Sequence, residues 1–289
     1  PGKGGGVMEL WYAVVDLLPF EWAQPGSMFF MKNALLAVLV ISPLFGLLST
    51  MVVQSRMSFF SDALGHSAFT GIAIGAICGL AEPMWMAVVF AVVFAFLFTW
   101  VRRQSGMASD TVIGVFSSTA VALGIFLATL GGGSFLKFNS LLIGDILSVE
   151  PGKILLLGII LLVVLVLWLL SFNQIMLSAI HPALADSRGV KVFWQEAVLN
   201  VAIAVVVTIS MTWVGLLVIN SLLVLPAAAA RNLARNMRGY HLVSVLGAVA
   251  AGLAGLMTSY YIGSSAGASI TLYLAFWFAV TFLLRRRRE

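Results

Sequence analysis

The chain has 289 residues, 61% of them hydrophobic and only 9% charged, with a net charge of +5. A soluble domain is roughly half apolar and a quarter charged, so this balance excludes one and points to an integral membrane protein. Lipid offers no partner to free backbone amides, so the membrane core is expected to be all-α, and the alternation that marks a membrane β-barrel is absent.

Residues 1–7, PGKGGGV, read as a remnant appended ahead of Met8 and are set aside. Residues 8–27 open with MELWYAVVDLLPFEW, too short and too acidic for a secretory signal, and read as an amphipathic segment at the membrane interface. Apolar runs of about 18 residues or more predict spans at 29–53, 57–80, 84–101, 111–130, 154–172, 193–213, 214–230, 241–262 and 268–284. They form a single transmembrane domain over 28–284 with about 8–9 helices. The sixth and seventh runs are separated by almost nothing polar, so eight spans and a re-entrant piece are the alternative. Residues 131–153, GGGSFLKFNSLLIGDILSVEPGK, form a long, partly apolar connection expected to hold a short helix. In the connection 178–192, Pro182 can start a short helix and Gly189 can stop one.

Lys and Arg orient the spans. Arg56, Arg102, Arg103, Arg188, Lys191, Arg231, Arg235, Arg238 and the run from Arg285 to Arg288 share one side, the cytoplasmic one. Lys32, Lys137 and Lys153 fall outside. The N-terminus is then external, and 285–289 is a cytoplasmic basic tail at the lipid surface. Basic residues that flank spans are no sign of nucleic-acid binding. Cys78 is alone and cannot form an internal disulfide.

Of the eleven acidic residues, nearly all lie in connections, at span ends or at the termini. Asp62 is the exception, and His66 follows it by four. With a helix starting near Met57, Asp62 lies about 8 Å in and His66 about 14 Å in, near the midplane of the membrane. An ionisable group there faces an interior path and needs a partner. Residues i and i+4 share a helix face, so the pair can converge on one ion, and imidazole with carboxylate suits zinc, manganese or ferrous iron. Two such helices from two subunits would complete a coordination shell. The alternative makes Asp62 the N-cap of a helix starting later, bonded to His66. Gly71, Gly75 and Gly79 on the same run allow close helix packing.

Other candidates have plainer readings beside them. Asn220 and Ser221, with Pro226 after them, either line the pathway and hold Asp62 in place or make an interhelical hydrogen bond. Pro226 should kink its helix. Asp145 follows Gly144 and is either a turn residue or part of an outer mouth. His181 caps or packs, and His241 sits at an interface. The twelve methionines are scattered, with no cluster suited to copper. No G-x-x-x-x-G-K-[ST] motif is present.

RMSFFSDALGHSAFTGIAIG (56–75), LLIGDIL (141–147), SAIHPALADSRGV (178–190) and VGLLVINSLLVLPAAAAR (214–231) occur in this order. Together they resemble the signature segments of the membrane permeases of zinc-, manganese- and iron-type ABC importers. Gly65 departs from the usual alanine, and the N-terminal segment is longer than usual. The resemblance implies an all-α polytopic ABC importer permease fold of the metal-uptake type, multi-pass in a bacterial plasma membrane, and not itself an enzyme. It implies a transported divalent metal, zinc or manganese and possibly iron, bound in transit by Asp62 and His66, with no resident cofactor. The implied partners are a second permease copy as a homodimer, cytoplasmic ABC ATPase subunits that alone bind ATP, and an extracellular or periplasmic metal-binding protein. His181, Pro182, Ala185 and Gly189 would lie in the segment that couples to the ATPase. A permease for metal chelates is the near rival. A proton-coupled transporter, with Asp62 and His66 relaying protons, is the distant one. An intramembrane metalloenzyme would need more ligands and a general base.

Overall fold

The computed structural model describes the backbone of residues 5–80, 82–130, 145–180 and 182–286. Among these every regular element is helical, as lipid requires of a spanning chain. The helices are α1 (Gly5–Val15), α2 (Phe29–Gln54), α3 (Phe60–Ile77), α4 (Met84–Ser105), α5 (Ser109–Leu130), α6 (Pro151–Ile180), α7 (Pro182–Ser187), α8 (Val192–Val214), α9 (Leu216–Leu233), α10 (Met237–Ile262) and α11 (Ala266–Arg286). Single 3-10 turns occupy Glu21–Ala23 and Ile146–Ser148. Residues 131–144, most of the connection expected to hold a short helix, lie outside the described residues, as does His181.

Eight helices, α2, α4, α5, α6 and α8 to α11, are long and apolar enough to cross a membrane. The ninth, α3, has 18 residues, about 27 Å at 1.5 Å per residue. It is less apolar because it carries Asp62, His66 and several Ser, Thr and Gly. The ambiguity in span number therefore lies at α3 and not between the sixth and seventh runs. There Gly215 alone, at φ +101°, separates α8 from α9. A side chain resists that conformation, so glycine makes a sharp break with no polar residue to announce it.

The chain forms two compact units. One gathers α1, most of α2, the start of α6, and α9 to α11; the other gathers the end of α2, α3 to α5, the rest of α6, α7 and α8.

In the first unit, helices meet through small residues. A β-carbon on Gly46 of α2 would lie 2.9 Å from the Val245 Cα, and one on Gly255 of α10 would lie 2.5 Å from the Ile270 Cα. Apolar burial gives little driving force in lipid, so such close contacts and interhelical hydrogen bonds do the holding. Ser244 Oγ donates to the Gly46 carbonyl at 2.6 Å, and Asn232 Nδ2 donates to Thr281 Oγ1 at 3.2 Å. The N-terminal segment is docked rather than loose. Trp11 Nε1 donates to the Lys32 carbonyl at 2.9 Å, and the Tyr12 hydroxyl donates to Asn33 Oδ1 at 2.8 Å. Lys32, expected as a flanking charge, is fully buried, paired with Asp16 and donating to the Gln24 carbonyl at 2.9 Å.

In the second unit, α3 packs on α4 and α5. Phe60 meets Phe98 with ring centroids 4.9 Å apart, and Phe94 and Phe98 both set their rings edge-on to Phe116. Gly71 and Gly75 are where α4 comes closest: their β-carbons would lie 2.5 Å from the Ala87 Cα and 2.9 Å from the Pro83 Cα. Gly79 is different. It lies just past the end of α3, at φ +69°, with nothing around it. Thr70 Oγ1 ties α3 to the Ala120 carbonyl of α5 at 2.6 Å.

Candidate functional site

Packing hides nearly all of α3. Thirteen of its residues, from Phe60 to Gly75, are buried, but the side chains of Asp62 and His66 are 51% and 42% exposed. Past them the same face is buried at Phe69, Thr70 and Ala73, and exposure returns only toward the end of the helix, at Ile74, Ala76 and Ile77. The spacing of four puts the pair on one face near the start of α3, and one turn further along α5 covers that same face, where Thr70 Oγ1 reaches the Ala120 carbonyl.

His66 Nε2 lies 3.6 Å from Asp62 Oδ2, too far for a strong hydrogen bond. Two tetrahedral ligands at bonding distance from one zinc ion stand about 3.4 Å apart. The separation therefore suits two ligands of a common ion. Asp62 is not an N-cap. That position belongs to Phe59, which makes no side-chain cap bond, and Asp62 sits within the first turn. Its carboxylate there is favoured by the helix dipole. Because α3 starts at Phe60, Asp62 lies about 3 Å and His66 about 9 Å along the helix, shallower than a start at Met57 would place them. Among the described residues, no three His, Cys, Asp or Glu gather into a metal-binding group.

Ser221 Oγ donates to the Leu217 carbonyl at 2.7 Å and shares a hydrogen bond of 2.8 Å with Thr271 Oγ1 of α11. This is the interhelical bond of its plainer reading. Asn220 is its half-buried neighbour on α9, in the first unit, while Asp62 and His66 belong to the second. Pro226 is buried, and α9 runs on through it to Leu233. Pro43, not singled out in the sequence, sits in the same way inside α2. Asp145 caps a turn: its Oδ1 accepts from the Leu147 amide at 3.0 Å. His241 is buried in the second turn of α10, close to the start of that span.

The short helix expected between Pro182 and Gly189 is α7, which starts at Pro182 and ends before Gly189, at φ +76°. Ala185 is fully buried, and its carbonyl accepts from the Val190 amide at 3.0 Å. It therefore packs α7 in place and offers no side chain to a partner, whereas Leu184 is exposed. Sequence reading missed the polar contacts between α4 and α8. Glu196 bonds Arg102 and Arg103, and Asn200 Nδ2 donates to Thr99 Oγ1 at 2.8 Å. An acid just inside a span, opposite a pair of arginines at the end of another, was the available signal.

The model of the ABC 3 transport family matches residues 27–285. The chain is 31% identical over 261 residues to the manganese import system permease protein ScaB of Streptococcus gordonii, covering 90% of this chain and 93% of that one. It is 28% identical over 257 residues to the high-affinity zinc uptake system membrane protein ZnuB of Haemophilus influenzae, covering 88% and 97%. Its fold is similar to that of PsaBC from Streptococcus pneumoniae, solved in complex with Fab, with a TM-score of 0.74 and 27% identity over 95% of each chain. A family match over nearly the whole length, with the multi-pass helical fold to go with it, leaves one assignment: the chain belongs to the ABC 3 transport family and is a plasma-membrane permease rather than an enzyme.

Proposed function

We propose that this chain is the permease subunit of an ATP-driven importer of a divalent transition metal, zinc or manganese, and that Asp62 and His66 hold the ion in transit. The observation that carries the reading is a carboxylate and an imidazole, spaced as two ligands of one ion and half exposed on a helix otherwise largely buried. Lipid penalises such groups, so the pair meets water, cargo or a second copy of the chain. A facing copy in a homodimer supplies two more ligands, enough for a full zinc or manganese shell. A shell made of two halves also opens when the halves part, and transport needs release as much as capture. The named relatives carry zinc and manganese; iron, which the ligand types also admit, has no such support.

The energy comes from ATP bound on separate cytoplasmic subunits, which engage the arm around α7, and a metal-binding protein delivers the ion from outside. Binding and hydrolysis of ATP then switch the helices between outward-open and inward-open states. The test is uptake of radioactive zinc and manganese into vesicles holding the permease, its ATPase and its binding protein. Asp62→Ala and His66→Ala should each abolish ATP-driven uptake of one metal while the complex still assembles. Uptake that survives both substitutions ends the reading.

A further inference from the structure

One ionic node in the second unit takes no part in holding the cargo. Glu196 Oε2, near the start of α8, lies 3.0 Å from Arg102 Nη2 and 3.1 Å from Arg103 Nε, both in the last turn of α4. The side chains of Arg102 and Glu196 are only 14% and 18% exposed. The other edge of Arg102 faces the lead-in to α3: Nη1 donates to Met57 Sδ at 3.2 Å. The same guanidinium lies 5.8 Å from the centre of the Phe98 ring, which packs on Phe60, the first residue of α3.

Met57 is buried and held at both ends of its backbone. Its amide donates to the Val52 carbonyl of α2 at 3.0 Å, and its carbonyl accepts from the Phe60 amide at 2.9 Å, the bond that opens α3. On the other side of the node, α8 follows α7 after a four-residue link, 188–191, and the Val190–Ala185 bond folds that link back onto α7. The Asn200–Thr99 bond repeats the polar contact one turn further along, with both residues buried. Stability alone does not account for the glutamate, since an apolar contact at a buried site commonly does as well as an ion pair. Charge-assisted bonds do fix direction and register.

We propose that Glu196 is a positioning residue that carries displacement of the α7–α8 arm, through Arg102, to the Met57 turn from which α3 and its Asp62–His66 pair begin. This rests on the function proposed above and deepens it.

The test counts ATP hydrolysed per zinc or manganese ion imported, in vesicles holding the complete transporter. Glu196→Gln is expected to raise that ratio about tenfold, import falling while hydrolysis persists. Glu196→Asp, which keeps the charge, should restore part of the coupling. Adding Arg102→Gln to Glu196→Gln should change little further, as for two members of one contact. Hydrogen exchange on the purified permease, without metal, reads the link by another route: Glu196→Gln should speed exchange at the amides of residues 60–63 and leave α5 unchanged. The proposal is overturned if hydrolysis and import fall together at constant ratio, if exchange rises throughout the second unit, or if neither quantity moves. Should Glu196→Gln fail to fold, Glu196→Asp is judged by the same criteria. Wild-type vesicles that import neither metal would sink the proposed function, while the exchange measurement would still decide whether Glu196 positions α3.

Discussion

Helices α3 and α9 are both 18 residues long, and both interrupt an apolar sequence with polar side chains. They dispose of them in opposite ways. On α9, Ser221 is buried and its hydroxyl is used within the chain, bonded to Leu217 behind it and to Thr271 across to α11. On α3, Thr70 is used in the same way against α5, but Asp62 and His66, nearer the start of the helix, stay half exposed. In lipid, a polar group spent on a neighbouring helix is glue, whereas an ionisable group left half exposed on a membrane helix marks a candidate functional position.

The contrast breaks first if the half-exposed pair can be neutralised without loss of transport. Asp62→Asn and His66→Gln should each lower metal uptake on the order of 100-fold, with unfolding stability changed by less than about 0.5 kcal/mol because both side chains are half exposed. Thermal unfolding in detergent, run beside the uptake assay, separates the two effects. Next comes the packed side of the same helix. Gly71→Val places a β-carbon 2.5 Å from the Ala87 Cα, and should cost about 1–3 kcal/mol of stability. Transport is lost here only as folded protein is lost, which the same unfolding measurement detects.

A smaller effect is expected on α9. Ser221→Ala removes one interhelical bond worth about 0.6 kcal/mol and should leave uptake at the wild-type rate. Uptake abolished in a well-folded Ser221→Ala variant would move α9 into the pathway and erase the contrast. The smallest effect is expected at Asp145. Asp145→Asn keeps an acceptor for the Leu147 amide and removes only the charge, so neither uptake nor stability should change. A fall in uptake would restore an outer-mouth role.

Much of this was readable in the chain. Most runs located the spans to within a few residues, because a membrane demands an uninterrupted apolar length; the fifth, read as 154–172, stopped eight residues short of the end of α6 at Ile180. Pro182 and Gly189 marked α7, because each residue restricts or permits backbone angles locally. The pair Asp62 and His66 stood out because charge is so scarce in the runs. Less readable was the break at Gly215, which has no polar signal. The start of α3 at Phe60 was also hidden, since Met57 is apolar like the helix it precedes. Lys32 looked like a flanking charge, and its partner Asp16 lies in a segment whose docking on α2 has no local signature.

The boundary between the two kinds of knowledge follows the range of the forces. Hydropathy and run length commit this chain to membrane helices because every residue in a span faces the same medium, whatever its neighbours. Spacing places Asp62 and His66 on one face because helical geometry is local. Which residues of that face are covered is another matter. It depends on where α4 and α5 press against α3, at Gly71, Gly75 and Thr70. Those contacts join residues far apart in sequence, so the polar residues of α9 become glue, and Asp62 and His66 on α3 stay half exposed, only once the helices have packed.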